Sequence, residues 1–364
     1  MQVIINGIEH LKDALLGSDN VLLVCDSSFP FLNIKDSIEN MEIPHVMFCD
    51  FTQNPKYEDV CKGVELFRES KCDTILAVGG GSSIDVAKCI KLFCQMEKGQ
   101  IYLNQEYKDS GINLIAVPTT AGTGSESTRY AVIYYNGEKQ SITHDSIIPN
   151  YVILEPEVLK TLPLYQKKCT LLDALCQGVE SWWSVNSNDV SKQYSKQAIE
   201  ILMQWWHDYI FENSSEAARH IMIAANYAGQ AINITQTTAA HAFSYKLTSL
   251  YKLPHGHSVA LCFPVIWTYM INHIDKCLDI RGEEYLNKVF VDISYAMECK
   301  TPEEAVLLFN QMMSDMEMQK PVPTNPDEEL GILVHSVNPV RLKNNPVELD
   351  EQTIMSIYKE VLNI

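Results

Sequence analysis

The chain has 364 residues, more than one compact core usually occupies, so two domains with a large buried interior are expected. Apolar residues make up 46% and charged ones 20%, which with this length excludes a disordered polymer, a peptide hormone and a small disulfide scaffold. The 46 acids outnumber the 28 bases for a net charge of −18, and no basic run is interleaved with aromatics, so neither nucleic acid nor an anionic membrane is an expected partner.

The opening M-Q-V-I-I-N-G-I-E-H has neither a basic n-region nor an apolar h-region, so no signal peptide is expected. Beyond it, β-rich runs alternate with helical stretches, the pattern of a parallel sheet flanked by helices. Val21 to Cys25, followed by Asp26, is one expected strand; Thr74 to Val78, followed by three glycines, and Gly111 to Val117 are two more. Between them, Tyr57 to Ser70 carries Val60, Val64 and Phe67 at helical spacing. Tyr130 to Tyr135, Asn136-Gly137 and Lys139 to Thr143 read as a hairpin with a primed turn, and Tyr151 to Leu154 as a last strand.

After Pro163 strand signals fade. Lys168 to Ser184, Ser191 to Phe211 and Glu216 to Ile234 read as helices, several of them buried over most of their surface. Val259 to Ile271 is apolar, broken by Pro264 and too short to span a bilayer, and reads as a buried helix. Pro321 to Pro346 reads as loops between helices. The expected organisation is an α/β domain over residues 1–160 and an all-helical domain over residues 161–364. Eleven cysteines, an odd number with no C-x-x-C pair, lie mostly in apolar runs, as Cys89 and Cys262 do, which suits free thiols in a reducing cytoplasm.

Two loops carry the first chemistry. Gly79-Gly80-Gly81-Ser82-Ser83 sits between a strand and a helix, where glycines permit close backbone approach and the first helical amides offer N–H groups and a partial positive charge to a pyrophosphate. The same glycines also make an ordinary helix entry, and the G-x-G-x-x-G fingerprint is absent. Pro118-Thr119-Thr120-Ala121-Gly122-Thr123-Gly124-Ser125 follows the next strand and offers further donors to phosphate or ribose, at the strand ends where open α/β sheets bind ligands. Asp26 either accepts from an adenosine ribose, favouring NAD(H) over NADP(H), or caps a turn.

The helical half carries the second chemistry. Asp173 and Gln177, four apart in an apolar helix, share a face, and a buried carboxylate needs a cation or several donors. With His241, His255 and His257 farther on, an acid and two or three imidazoles can hold a divalent transition metal with a position open to substrate, though each histidine alone is also a common core residue.

Taken together, G-G-G-S-S-I-D-V-A-K (79 to 88), P-T-T-A-G-T-G-S-E (118 to 126), D-A-L-C-Q-G-V-E (173 to 180), His241 and P-H-G (254 to 256) resemble the iron-containing alcohol dehydrogenases. The resemblance implies a Rossmann-like dinucleotide-binding domain facing an all-helical metal-binding domain, the dehydroquinate synthase-like arrangement, with the active site in the cleft between them. It implies Fe2+ or Zn2+ held by Asp173, Gln177, His241 and His255, with Gln177 and Tyr245 standing where the family usually has histidines. Gln177 is a weaker ligand than imidazole. It further implies NAD(P)H contacts from Asp26, Asn54, Gly79, Gly80, Gly81, Ser82, Asp85, Thr119, Thr120, Thr123, Ser125, Thr128 and Lys139, and a homodimer or larger assembly.

Arg129, Lys246, Lys252 and His257 are candidates to hold an anionic substrate, Arg by a planar fork and Lys as a point charge. Tyr245 or His257 acting through water, or a relay by the ribose hydroxyls, are the candidate proton donors. The segments 128 to 134 and 241 to 261, with Gln177, are similar to the branch of phosphonoacetaldehyde reductases and hydroxyethylphosphonate dehydrogenases. The expectation is therefore metal-assisted reduction of a small aldehyde, phosphonoacetaldehyde, to 2-hydroxyethylphosphonate. The alternatives are a general short-chain alcohol dehydrogenase, a metal-independent reductase, and a non-catalytic nucleotide-binding protein of the same fold.

Overall fold

The computed structural model describes residues 2–337 and 339–364. Met1, at the head of the segment read for a leader, and Asn338, in the Pro-rich stretch, lie outside them. The chain forms two compact units: the segment up to Leu162 together with Asn213–Met222, and Pro163–Glu212 together with Ile223–Ile364.

The first unit contains, in chain order, β1 (Val3–Asn6), α1 (Leu11–Ala14), β2 (Val21–Cys25), α2 (Lys35–Glu39), β3 (His45–Phe48), α3 (Tyr57–Glu69), β4 (Thr74–Gly79), α4 (Gly81–Phe93), β5 (Asn113–Pro118), β6 (Tyr130–Tyr135), β7 (Glu138–Thr143) and β8 (Tyr151–Leu154). Six strands make one parallel sheet in the order β1-β8-β5-β4-β2-β3, and β6 and β7 pair as a separate antiparallel ribbon. At the ribbon's turn Asn136 and Gly137 have φ of 52° and 79°, the two positive values a type I′ turn requires.

Strands β2 and β4 are buried throughout and nearly all apolar because both of their faces are covered. Leu22, Val24, Ile75, Ala77, Leu114 and Ala116 pack on one face with Val60, Val64 and Phe67 of α3 and with Ile84 and Ile90 of α4. Because β3 lies to one side of β2 and β4 to the other, the chain reverses direction across the sheet between β2 and β4. Open α/β sheets bind ligands at such a point, outside the carboxyl ends of the strands. Asp26 and Gly79–Ser82 stand there.

A buried amine ties this unit together. Lys88 of α4 is inaccessible to solvent, and its Nζ donates to the carbonyls of Ser125 (2.5 Å), Thr128 (2.7 Å) and Tyr130 (2.7 Å) and to the hydroxyls of Ser125 and Thr128. Asp85, one turn earlier, accepts from Ser125 Oγ (2.6 Å) and Val132 N (3.0 Å). Burial pulls the Lys88 ammonium down to about 8, with Asp85 opposing the shift, and pushes the Asp85 carboxyl up.

The second unit is helical: α5 (Leu164–Trp183), α6 (Asp189–Phe211), α7 (Ser215–Thr235), α8 (Ala239–Tyr251), α9 (His255–Asn272), α10 (Glu283–Ala296), α11 (Pro302–Asp315), α12 (Pro326–Ser336), α13 (Pro339–Leu342) and α14 (Glu351–Leu362), with the start of α7 grouping with the first unit. From Leu171 to Trp183 every side chain of α5 is buried, and α5 packs against α6, α9 and α10. Trp183 locks the junction, stacking on Phe263 (5.4 Å) and meeting Trp267 and Phe290 edge-on.

Two proline readings need correction. Pro264 does not break its segment: α9 runs through it. The stretch Pro321 to Pro346 is not all loop, since α12 begins at Pro326; proline is tolerated in a first helical turn, and Asp327, Glu328 and Glu329 there suit the positive end of the helix dipole. Among the described residues no helix is long and apolar enough to cross a membrane, and all eleven cysteines are free thiols.

Replacing Lys88 by methionine strands the carbonyls of Ser125, Thr128 and Tyr130 and should cost on the order of 3 kcal/mol in urea unfolding. Lys62→Met, which removes only exposed ion pairs to Asp50 and Asp59, should leave the midpoint nearly unchanged. Equal effects of the two substitutions would contradict the role given to Lys88.

Candidate functional site

In the α/β unit, α4 starts at Gly81 with no side-chain cap, so its first amides are left for another partner. A side chain at Gly79, whose φ is +153°, would strike Ser83 Oγ at 2.2 Å; one at Gly80 or Gly81 would press on Thr120 or Thr123 at 3.0–3.5 Å. The glycine loop and the threonine loop therefore lie side by side, joined where Thr119 N donates to Gly79 O at 3.0 Å. Gly80, Gly81, Ser82, Thr120 and Thr123 are partly exposed there. An uncapped helix start lined by glycine and hydroxyls fits a pyrophosphate.

Asp26 is close by: its carboxylate accepts from Ser28 N (2.8 Å), Ser28 Oγ (2.5 Å) and Ser83 Oγ (3.0 Å). Three of the expected cofactor contacts, Asp85, Ser125 and Thr128, direct hydrogen bonds inward to build the Lys88 joint. Asn54 is exposed with a left-handed φ of 58°, and Lys139 is exposed on β7. Arg129 reaches Asp145 at 3.1 Å and lies over the Tyr130 ring. Such a surface pair contributes about 1 kcal/mol or less, so another anion can compete for the guanidinium.

In the helical unit the structure brings Asp173, His241 and His255 together, their ligand atoms all within 4.8 Å of one another. Asp173 and His241 are 2% and 3% exposed, and His241 Nε2 is 3.2 Å from Asp173 Oδ1. Burial works against the Asp173 charge, but the hydrogen bond from His241 and the neighbouring imidazoles hold its carboxyl below the usual range. Burial also opposes the His241 charge, yet Glu180 and Asp173 on its two sides raise it to about 9. One carboxylate oxygen with two imidazoles suits a divalent transition metal such as iron or zinc, and the electrostatics already favour a cation at this spot.

Gln177, one turn beyond Asp173, hydrogen-bonds the Asp173 carboxylate. Tyr245 stacks on the His255 ring, 5.9 Å away with planes 5° apart. His257 is directed elsewhere: it is 2% exposed, its Nδ1 meets the Tyr165 hydroxyl at 2.8 Å, and burial lowers its pKa. Lys246 is half-buried within α8, and Lys252 is exposed at its end in a left-handed conformation with φ of 54°.

Sequence reasoning missed two residues of the helical unit. Glu180 lies seven residues after Asp173, on the same stripe of α5, and its Oε2 accepts from His241 Nδ1. Its signal was a second acid on the helix face that carries Asp173 and Gln177. Gly256 is the other: a Cβ there would stand 2.0 Å from the Cys169 carbonyl oxygen and 2.8 Å from Asp173 Cβ. Only glycine lets the start of α9 reach the α5 backbone and bring His255 to Asp173.

Residues 4–156 match the family model for iron-containing alcohol dehydrogenase, and residues 168–362 that for the C-terminal part of the Fe-containing alcohol dehydrogenase family. Long-chain-alcohol dehydrogenase 1 of Geobacillus thermodenitrificans is 27% identical over 361 residues, 94% of this chain and 90% of that protein. Phosphonoacetaldehyde reductase of Streptomyces viridochromogenes is 28% identical over 343 residues, 90% and 85% of the two chains. An iron-containing alcohol dehydrogenase structure from Thermococcus thioreducens has a TM-score of 0.89 at 22% identity, covering 100% of this chain and 98% of that one, a likeness of fold.

Gly256→Ala forces α9 away from α5. It should destabilise the protein by about 1–3 kcal/mol and lower metal retention on dialysis, read by elemental analysis. Wild-type stability and metal content would show that the close approach is dispensable.

Proposed function

The chain belongs to the iron-containing alcohol dehydrogenase family, and on that premise we propose that it reduces a short aldehyde bearing a phosphonate, phosphonoacetaldehyde, to the corresponding alcohol with NAD(H). The observation that carries the metal-dependent chemistry is the convergence of Asp173, His241 and His255. The similarity to a phosphonoacetaldehyde reductase over nine-tenths of the chain supports the phosphonate.

When bound, the divalent ion supplies Lewis acidity toward a carbonyl oxygen and the nicotinamide supplies hydride. Asp173, His241 and His255 are the residues that would hold the ion, and Asp173 would add the negative charge that keeps it there. Gln177 steadies Asp173 by hydrogen bonding. Tyr245, half-buried against His255, is the proton donor in this reading, while His257 acts through Tyr165 and the packing of α9 on α5. Gly80, Gly81, Ser82, Thr120 and Thr123 bind the pyrophosphate, and Asp26 accepts from the ribose, which disfavours a 2′-phosphate there. Arg129 of the α/β unit and Lys246 of the helical unit are each a candidate to supply positive charge to the phosphonate, which must be held against a chain of net charge −18.

The test is substrate competition. Phosphonoacetaldehyde should be turned over with at least tenfold higher kcat/KM than propanal. A charge-assisted hydrogen bond contributes about 1.5–3 kcal/mol, so Arg129→Met and Lys246→Met should each lower kcat/KM for the phosphonate by about 10- to 150-fold. Propanal turnover should change little. Equal efficiency on the two aldehydes in the wild-type enzyme would leave a general short-chain alcohol dehydrogenase instead.

A further inference from the structure

We infer that Glu180 is a positioning residue of the metal centre: it holds the His241 ring so that Nδ1 carries a proton and Nε2 alone is presented to the ion. The inference rests on the metal reading above and concerns a residue that is not itself a ligand.

Glu180 is fully buried on α5. Its Oε1 accepts from the Thr238 hydroxyl at 2.9 Å, from Ala240 N at 2.8 Å and from His241 N at 3.4 Å. These bonds close the first turn of α8, whose own N-cap residue, Thr238, makes no side-chain cap bond. Trp183 Nε1 in turn donates to Thr238 Oγ1 at 2.8 Å, so the packed aromatic junction holds the arrangement. With three donors on Oε1, Oε2 is the oxygen that meets His241 Nδ1.

An ionised carboxylate only accepts hydrogen bonds, so the facing Nδ1 must carry a hydrogen. Ion binding displaces the proton that Nε2 shares with Asp173, so the ligating lone pair belongs to Nε2. A carboxylate behind a ligating imidazole fixes its tautomer and ring orientation and raises its basicity. Here that support has added weight, because Gln177 and Tyr245 stand where imidazoles were expected.

Glu180→Gln tests this with little change of shape. The Thr238, Ala240 and His241 donors retain the amide oxygen, so the amide NH2 faces Nδ1, which must now accept; the proton moves to Nε2 and blocks ligation. Zn2+ affinity, measured by chelator competition, should fall about 10- to 100-fold. The visible spectrum of the Co2+-loaded protein should change, and circular dichroism should not. Glu180→Asp keeps the charge and should bind zinc more tightly than Glu180→Gln. In zinc-loaded wild-type protein, 15N NMR should show a downfield Nδ1 proton on His241; this decides the matter even where the variants fail to fold. Zinc affinity of folded Glu180→Gln within twofold of wild type, or an unprotonated Nδ1 in the zinc-loaded wild type, would overturn the inference. Wild-type protein that binds no zinc at all would overturn the metal reading and the inference with it.

Discussion

An imidazole held between two buried carboxylates is the interaction on which the helical unit depends. Asp173 and Glu180 come from one helix whose surroundings are otherwise apolar, and ionised groups are not left in such a place without partners. His241 answers both, one ring nitrogen to each acid. That requirement sets where α8 must begin, since Glu180 also caps it, and Gly256 lets α9 come close enough for His255 to join. Removing one partner of such a buried set leaves an uncompensated charge, which is far costlier than losing an exposed pair.

The α/β unit solves a related problem with the opposite sign. A glycine loop has few side chains of its own to stiffen it. Here stiffness comes from its neighbour: Lys88, buried and donating to three carbonyls, shapes the adjoining threonine loop through Ser125 and Thr128, while Asp85 ties that loop to β6. The polar atoms in contact with solvent are then backbone amides and small hydroxyls, which suit phosphate without adding bulk.

How much of this was legible in the sequence follows from where each signal resides. Strands β2, β4, β5 and β8 were readable because they lie inside the sheet and are apolar on both faces, and the Asn136-Gly137 turn announced the ribbon. The two strands that escaped notice, β1 and β3, are its edges, each four residues long, so their apolar runs, Val3-Ile4-Ile5 and Val46-Met47-Phe48, are too short to stand out as strands. The helix beginning at Pro326 was hidden because the proline-rich stretch 321–346 reads as loop, although a first helical turn accepts proline. In the site, Asp173, His241 and His255 were readable as residue types that bind metal. Glu180, Gly256 and Lys88 were not, because their roles exist only through contacts with segments distant in sequence: a carboxylate meeting the start of α8, a missing Cβ against the α5 carbonyl at Cys169, and an amine meeting three carbonyls beyond Gly124.

The most direct test of the metal centre is a crystal structure of the protein grown with iron or zinc, with anomalous data collected at that metal's edge. A single anomalous peak bonded at about 2.0–2.2 Å to an Asp173 carboxylate oxygen, to His241 Nε2 and to a ring nitrogen of His255 is the predicted result. A metal bound at some other cluster, or these three side chains left without an ion at saturating metal, would contradict it.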